Sequence, residues 1–174
     1  MPEPAVETLL YLFRRAFDEG EHGLARNLAA VTEDQWDAIV PGQPFGRSIG
    51  WIAWHAVAGK HLYWDHAFGE RRLTGDYTEQ GVLSPRRTKD DVIAYGREWQ
   101  QRWLEKIEQL TDADLQAPTK AHWGATLSMR RVISAVLEHD IYHAGEINHL
   151  RAVLDGTDKA PGEQHSTISG QLRP

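Results

Sequence analysis

Apolar residues recur along the chain at intervals of three and four, and this spacing predicts four long helical segments. No segment alternates apolar and polar residues over the length of a strand, so we expect little or no sheet. The sequence therefore predicts an all-α fold. The stripe of the first segment, residues 4–30, consists of Val6, Leu9, Leu10, Phe13, Phe17, Leu24 and Leu28.

The other three helical segments have recognisable ends. The second spans residues 48–68 and is rich in Trp and His. The third begins at Thr88, whose hydroxyl can cap the helix together with Asp91 three residues later. The fourth spans residues 126–155, and Gly156 stands where a helix commonly ends in a left-handed glycine.

The segments between the helices carry Pro and Gly, and the residues after Gly156 are polar. A chain of 174 residues is long enough for one domain with a substantial core. We therefore expect one helical domain over residues 1–156 and a C-terminal tail over residues 157–174.

Two histidines interrupt the apolar stripe of the fourth helix. His139 and His143 are four residues apart, so they lie on the same face as Val136 and Ile147. Burying two imidazoles without partners costs a few kcal/mol. A divalent metal ion would accept both neutral rings, although a buried carboxylate or water could also satisfy either one.

A third histidine stands in the apolar part of the second helix. His55 shares a face with Ile52 and with Gly59, which leaves space beside the ring. Two ligands from one helix and a third from its neighbour is a usual way to build a metal site in a bundle. The remaining histidines are interpreted as surface or structural residues: His22, His61, His66, His122, His149 and His165.

Acidic residues near this histidine pair could orient the imidazoles. Asp140 and Glu146 are candidate hydrogen-bond partners for the ring N–H groups. Glu146 follows His143 by three residues, so it can orient that ring or serve as an occasional ligand. Glu138 is interpreted as part of a solvated helix face.

Composition excludes several classes of protein. The net charge is −6 with no basic stripe, which argues against nucleic-acid binding. No apolar run approaches the ~20 residues that span a bilayer, and no secretory signal is visible, so we expect a cytoplasmic protein without membrane contact. The absence of cysteine excludes disulfides, thiolate nucleophiles and cysteine-based metal sites.

Two segments resemble the DinB-like family of metalloproteins. They are Ser48-Ile-Gly-Trp-Ile-Ala-Trp-His55 and the helix that carries Glu138-His-Asp-Ile-Tyr-His-Ala-Gly-Glu-Ile147, and the likeness extends over about residues 5–156. The resemblance implies a four-helix bundle with a long crossover connection, often dimeric. It also implies a mononuclear site whose ligands carry over to His55, His139 and His143.

Relatives of that family include S-transferases and isomerases that use low-molecular-weight thiols. The resemblance thus implies a small-molecule substrate and a thiol cosubstrate. It also implies zinc or nickel as the metal and a homodimer as the assembly. Because the chain has no cysteine, any thiol must come from a cosubstrate. A metal-dependent hydrolase is equally compatible with an open three-histidine site.

Three other interpretations stay open at the level of the sequence. A zincin-like protease would use His139-Asp140-Ile-Tyr-His143, with Asp in place of the usual Glu. A di-metal carboxylate bundle would need a second acidic motif such as Glu19-Gly-Glu-His22. A non-enzymatic bundle with a structural metal would bind a small molecule or a protein partner.

Overall fold

The computed structural model describes residues 2–39, 47–74 and 88–155. It is mostly helical, which confirms the all-α prediction. Gly156 and the expected tail over residues 157–174 lie outside the described residues. The helices are α1 (Pro4–Arg14), α2 (Leu24–Ala29), α3 (Glu33–Trp36), α4 (Ile49–Phe68), α5 (Lys89–Glu108) and α6 (Met129–Asp155), and the strands are β1 (Pro118–Lys120) and β2 (Thr126–Ser128).

The first predicted helix is interrupted, so its prediction as one continuous element was wrong. α1 continues into a π-helical turn, Arg15–Glu19, and the chain then leaves helical geometry at Gly20. A Cβ atom at Gly20 would lie only 2.1 Å from the Arg15 carbonyl oxygen, so only glycine fits this close approach. α2 restarts after Gly23, and the apolar stripe continues across the interruption.

The predicted start of the last helix at Thr126 was also wrong, by three residues. Thr126–Ser128 instead forms β2, which pairs antiparallel with β1 in a short hairpin. Gly124 in the connecting turn has φ of +88°, a left-handed conformation that favours glycine. The backbone N–H of Met129 donates to the Ala117 carbonyl at 2.9 Å, which holds the start of α6 against this hairpin.

Four helical units form the bundle, with α1 and α2 together acting as the first. α4 packs against both α5 and α6, while α1 packs against α5 and α2 against α6. Among the described residues, α5 and α6 are therefore opposite rather than neighbouring units, and the segment between them crosses the bundle. α5 begins with the predicted capping box, because Thr88 Oγ1 accepts from Asp91 N and Asp91 Oδ2 accepts from Thr88 N.

Candidate metal centre

His55 is presented by the second turn of α4. The Ser48 side chain begins this helix by accepting a hydrogen bond from the Trp51 N–H at 3.2 Å. Ile52 and Ala56, on either side of His55, are buried in the core. The half-buried imidazole stacks on the Trp51 ring, with centroids 5.3 Å apart and planes within 7°. His55 is therefore held by both its helix and its aromatic neighbour.

His139 and His143 are presented by successive turns of α6. Val136 and Ile147 on the same face are buried, and His143 itself is only 7% exposed. The two rings meet edge to face, with centroids 4.4 Å apart. Because α4 and α6 pack against each other, this pair faces His55 across the helix interface.

The three Nε2 atoms converge on one point. His139 Nε2 lies 3.3 Å from His55 Nε2 and 3.2 Å from His143 Nε2. Nitrogen ligands around a tetrahedral zinc ion, each bound at about 2.0–2.1 Å, lie about 3.3 Å from one another. These two distances fit two edges of a metal coordination sphere, and because the ligand atoms of all three histidines lie within 4.8 Å of one another, the group could hold a metal ion.

Glu146 fixes the orientation of the His143 ring. Its Oε2 atom lies 2.8 Å from His143 Nδ1. An ionised carboxylate only accepts hydrogen bonds, so Nδ1 carries the proton and the neutral ring presents a lone pair at Nε2. That lone pair points to the place where the three histidines meet.

Burial keeps the three imidazoles neutral. It lowers the pKa of His55 to about 4, with further lowering by His143 and by the positive charge of Arg47. It lowers the pKa of His139 to about 3, again helped by the two neighbouring imidazoles. The pKa of His143 is also lowered by burial, although the Glu146 carboxylate opposes the shift. At neutral pH all three rings therefore offer lone pairs rather than positive charge.

Gly59 provides the space that the His139 ring occupies. A Cβ atom at this position of α4 would lie 2.8 Å from His139 Cε1 and 3.3 Å from Nδ1. Carbon atoms in van der Waals contact are about 3.5–4.0 Å apart. The ring thus lies directly over the α4 backbone, which brings its Nε2 to His55.

Asp140 contacts a buried lysine rather than the imidazole N–H that the sequence predicted. Its carboxylate is 1% exposed and forms an ion pair with the fully buried Lys60 ammonium at 2.5 Å, instead of contacting an imidazole. Lys60 also donates to Gln100 Oε1 at 2.8 Å and lies over the rings of Phe13 and Phe17. Asp140 therefore links α6 to α4 one residue from His139.

Sequence reasoning missed Lys60 and Arg47. Lysine is almost never fully buried unless it is paired, and its Asp140 partner is on another helix, so no local pattern marks Lys60. Arg47 precedes α4, and its guanidinium carbon lies 3.9 Å from the centroid of the Trp51 ring that stacks on His55. A cation four residues before an aromatic ring is too common a pattern to single out.

The histidines interpreted as structural have different surroundings. His61 stacks on Trp99 and forms a 2.7 Å hydrogen bond with the Tyr95 hydroxyl. His122, in the hairpin turn, packs against Tyr63, whose ring lies 5.9 Å from that of His139. His61 is therefore structural, whereas His122 approaches the candidate site through Tyr63. His165 lies outside the described residues.

The structure also bears on the di-metal and membrane interpretations. Glu19 ends the π-helical turn and His22 follows the break, so the two residues do not share one regular helix face. Neither belongs to a cluster of three or more metal-ligating side chains in the described residues. None of the helices among the described residues is long and apolar enough to cross a membrane.

Comparison with known proteins places the chain in a family. A search among curated proteins finds no match. A crystal structure of a DinB-like protein from Bacillus cereus ATCC 10987 is similar, with a TM-score of 0.58 and 18% sequence identity. The match covers 81% of this chain and 88% of that one, and it shows a shared fold. The family model of the DinB superfamily matches residues 16–147, and the chain therefore belongs to the DinB superfamily.

Proposed function

We propose that His55, His139 and His143 bind one divalent metal ion, zinc or nickel, at an open site that acts on a small-molecule substrate. The convergence of three Nε2 atoms at spacings of 3.2 and 3.3 Å carries this proposal. Without a cation, an N–H on His139 Nε2 could donate to only one of the two neighbouring Nε2 atoms, so at least one buried lone pair would stay unsatisfied. A bound metal ion satisfies all three together.

An incomplete ligand set favours a catalytic over a structural metal. In the described parts of the chain the ligand group contains three side chains. Glu146, the acidic candidate for a fourth ligand, is hydrogen-bonded to the outer nitrogen of His143. Structural zinc sites normally have four protein ligands, whereas catalytic sites keep a position for water or substrate.

The chain's own residues would prepare this position for chemistry. A zinc-type ion in such a site lowers the pKa of bound water to about 7 or binds a thiolate directly. Glu146 holds His143 in the tautomer that ligates. The rings of Trp51 and Tyr142 border the histidines, and Tyr142 is 66% exposed, so the aromatic border is accessible to a small molecule.

Transfer of a low-molecular-weight thiol is the reaction we propose first, with hydrolysis as the second. Membership of the DinB superfamily supports the first through the family resemblance of the sequence, which implies thiol-dependent S-transferases among the relatives. The absence of cysteine means that the thiol must be a cosubstrate. We also propose a cytoplasmic homodimer, which light scattering of the purified protein and its localisation in the cell would test.

The environment of Asp140 argues against a zincin-like protease. A protease of that class uses the acid after the first histidine as a general base for metal-bound water. Here that carboxylate is buried and paired with Lys60. A metal-stabilised bundle without enzymatic activity is the alternative that the measurements below distinguish.

Metal content is the first experiment. The protein, purified without a histidine tag, is analysed by elemental mass spectrometry beside three single variants, His55→Ala, His139→Ala and His143→Ala. His149→Ala is the matched control, because His149 is an exposed histidine on α6. We expect one equivalent of metal in the parent and control and a loss in the other three. A metal-free parent after reconstitution, with folded variants, would falsify the proposal.

Cobalt substitution then separates an open site from a closed one. The visible spectrum of the cobalt protein is recorded before and after addition of azide or a simple thiol. An open site changes its spectrum because the added ligand enters the coordination sphere. A spectrum that responds to neither ligand, in a protein that unfolds on chelation, would instead identify a structural metal.

A further inference from the structure

A buried ion pair lies beside the candidate centre in the interface between α4 and α6. Lys60 directly follows Gly59 on α4, and Asp140 directly follows His139 on α6. The two charged side chains are 0% and 1% exposed, and Lys60 Nζ lies 2.5 Å from Asp140 Oδ2. The ion pair therefore joins the same two helices at the same level as the contact between the His139 ring and Gly59.

Further hydrogen bonds attach the Lys60 end of the pair to the rest of the bundle. Lys60 Nζ also donates to Gln100 Oε1 on α5 at 2.8 Å, and Gln100 Nε2 donates to the Phe13 carbonyl on α1 at 2.9 Å. The indole N–H of Trp103 donates to the Lys60 carbonyl at 3.0 Å. Each of the four helical units therefore contributes to one polar network, to which α6 contributes Asp140.

Stability alone does not explain why this pair is buried. Replacing a buried ion pair by apolar side chains of similar volume is often neutral or stabilising, because desolvation of the two charges offsets their attraction. A buried polar contact differs from an apolar one in its directionality. Apolar surfaces pack acceptably over a range of offsets, whereas a hydrogen-bonded ion pair is satisfied at one. The best-attested use of buried polar groups is accordingly to fix the register of packed helices.

The candidate centre depends on the register of α4 and α6. His55 belongs to α4, whereas His139 and His143 belong to α6, so a slide of one helix along the other changes the distances from His55 to both. The Nε2 atoms of His55 and His139 lie 3.3 Å apart. Metal–ligand distances tolerate changes of only about 0.2 Å. A shift of the helices too small to disturb the apolar core would therefore weaken metal binding.

We infer that the ion pair of Lys60 and Asp140 positions the metal centre, by holding α4 and α6 at the offset where His55 meets the two histidines of α6. This inference rests on the metal site proposed above. Both residues act through the histidines rather than on the ion, so they are positioning residues. The pair sets the affinity and the geometry of the centre, in addition to any contribution to folding.

An apolar replacement of the pair tests this role. Lys60→Met/Asp140→Leu roughly keeps the volume and leaves the net charge unchanged, since it removes one charge of each sign. Competition with a chromophoric chelator gives the metal dissociation constant, the visible spectrum of the cobalt-loaded protein reports the geometry, and urea denaturation of the metal-free protein gives the stability. Ile107→Ala is the control, because Ile107 is fully buried on α5, a helix that supplies no histidine to the centre.

We expect the apolar pair to bind metal about ten-fold more weakly than the parent, as for lost support of a ligand, and to shift the cobalt spectrum. Its free energy of unfolding should stay close to that of the parent. Ile107→Ala should do the opposite, with a lower free energy of unfolding but the parent's metal affinity and spectrum. The parent's affinity and spectrum in the apolar pair would overturn the inference while the metal site stands.

A second pair keeps the test decisive if the apolar pair does not fold. Lys60→Gln/Asp140→Asn is also neutral and keeps a hydrogen-bonding contact between the two helices. Because neutral hydrogen bonds are roughly half as strong as charged ones, we expect about a three-fold loss of metal affinity. An affinity equal to the parent's would again overturn the inference. If the parent itself binds no metal, the proposed function is wrong and the inference falls with it.

Discussion

Replacement of Gly59 by alanine should separate metal binding from folding. The new Cβ would lie 2.8 Å from His139 Cε1, whereas carbon atoms normally approach to about 3.5 Å, so the ring must retreat by about 0.7 Å. Metal–ligand distances tolerate changes of only about 0.2 Å. We therefore expect metal affinity to fall by at least the 10–100-fold seen when the support of a ligand is lost, about 1.4–2.7 kcal/mol.

Folding of the metal-free protein should respond differently to the same change. Alanine is favoured over glycine inside a helix by up to about 1 kcal/mol, and without metal the His139 ring can turn aside. The free energy of unfolding should therefore stay within about 1 kcal/mol of the parent value. Gly145→Ala is the matched control, because a Cβ there meets no atom within 4 Å although His143 is two residues away.

Two measurements decide this prediction. Competition with a chromophoric chelator gives the metal dissociation constant, and urea denaturation of the metal-free proteins gives the free energy of unfolding. Gly145→Ala should bind metal like the parent. If Gly59→Ala also binds metal with the parent's affinity, the His139 ring does not lie over Gly59 in the metal-bound protein, and the reasoning is refuted.

Lys60→Met should destabilise the protein by about 3–5 kcal/mol in urea denaturation, because it leaves the buried Asp140 carboxylate unpaired. The double variant Lys60→Met/Asp140→Leu should recover most of this loss, and a double variant no better than the single one would contradict the explanation. Glu146→Gln should weaken metal binding about ten-fold in the same chelator competition, with little effect on the free energy of unfolding. An unchanged metal affinity would show that the contact between Glu146 and the His143 ring is unimportant. The free energy of unfolding of the metal-free protein should fall as the pH drops from 6.5 towards 4. In the folded protein His55 and His139, with pKa values of about 4 and 3, stay neutral in this range, whereas the same histidines bind protons in the unfolded chain. When the free energy of unfolding is plotted against pH, the slope should be smaller for the His55→Ala/His139→Ala variant than for the parent. Equal slopes would exclude these two rings as the cause of the pH dependence.

Local sequence determined most of the helical segments and which candidate histidines share a helix face. A helix fixes the angle between residues four apart, so His139 and His143 had to share the apolar face of α6 whatever packed against it. The Thr88 cap follows equally from neighbours in the chain. The π-helical turn and break before Gly23 could not be predicted, because the apolar stripe continues through them and glycine is tolerated in many helices.

Tertiary structure decided what surrounds the three histidines of the candidate centre. The distance between His55 and His139 depends on how α4 and α6 pack, and that packing includes the ring lying over Gly59. The pairing of Asp140 with Lys60 also depends on how α4 and α6 pack. The sequence alone allowed the Asp140 carboxylate to contact an imidazole instead. Spacing along a helix fixes angles within that helix alone, whereas contacts between helices depend on their separation and crossing, which many distant residues set together.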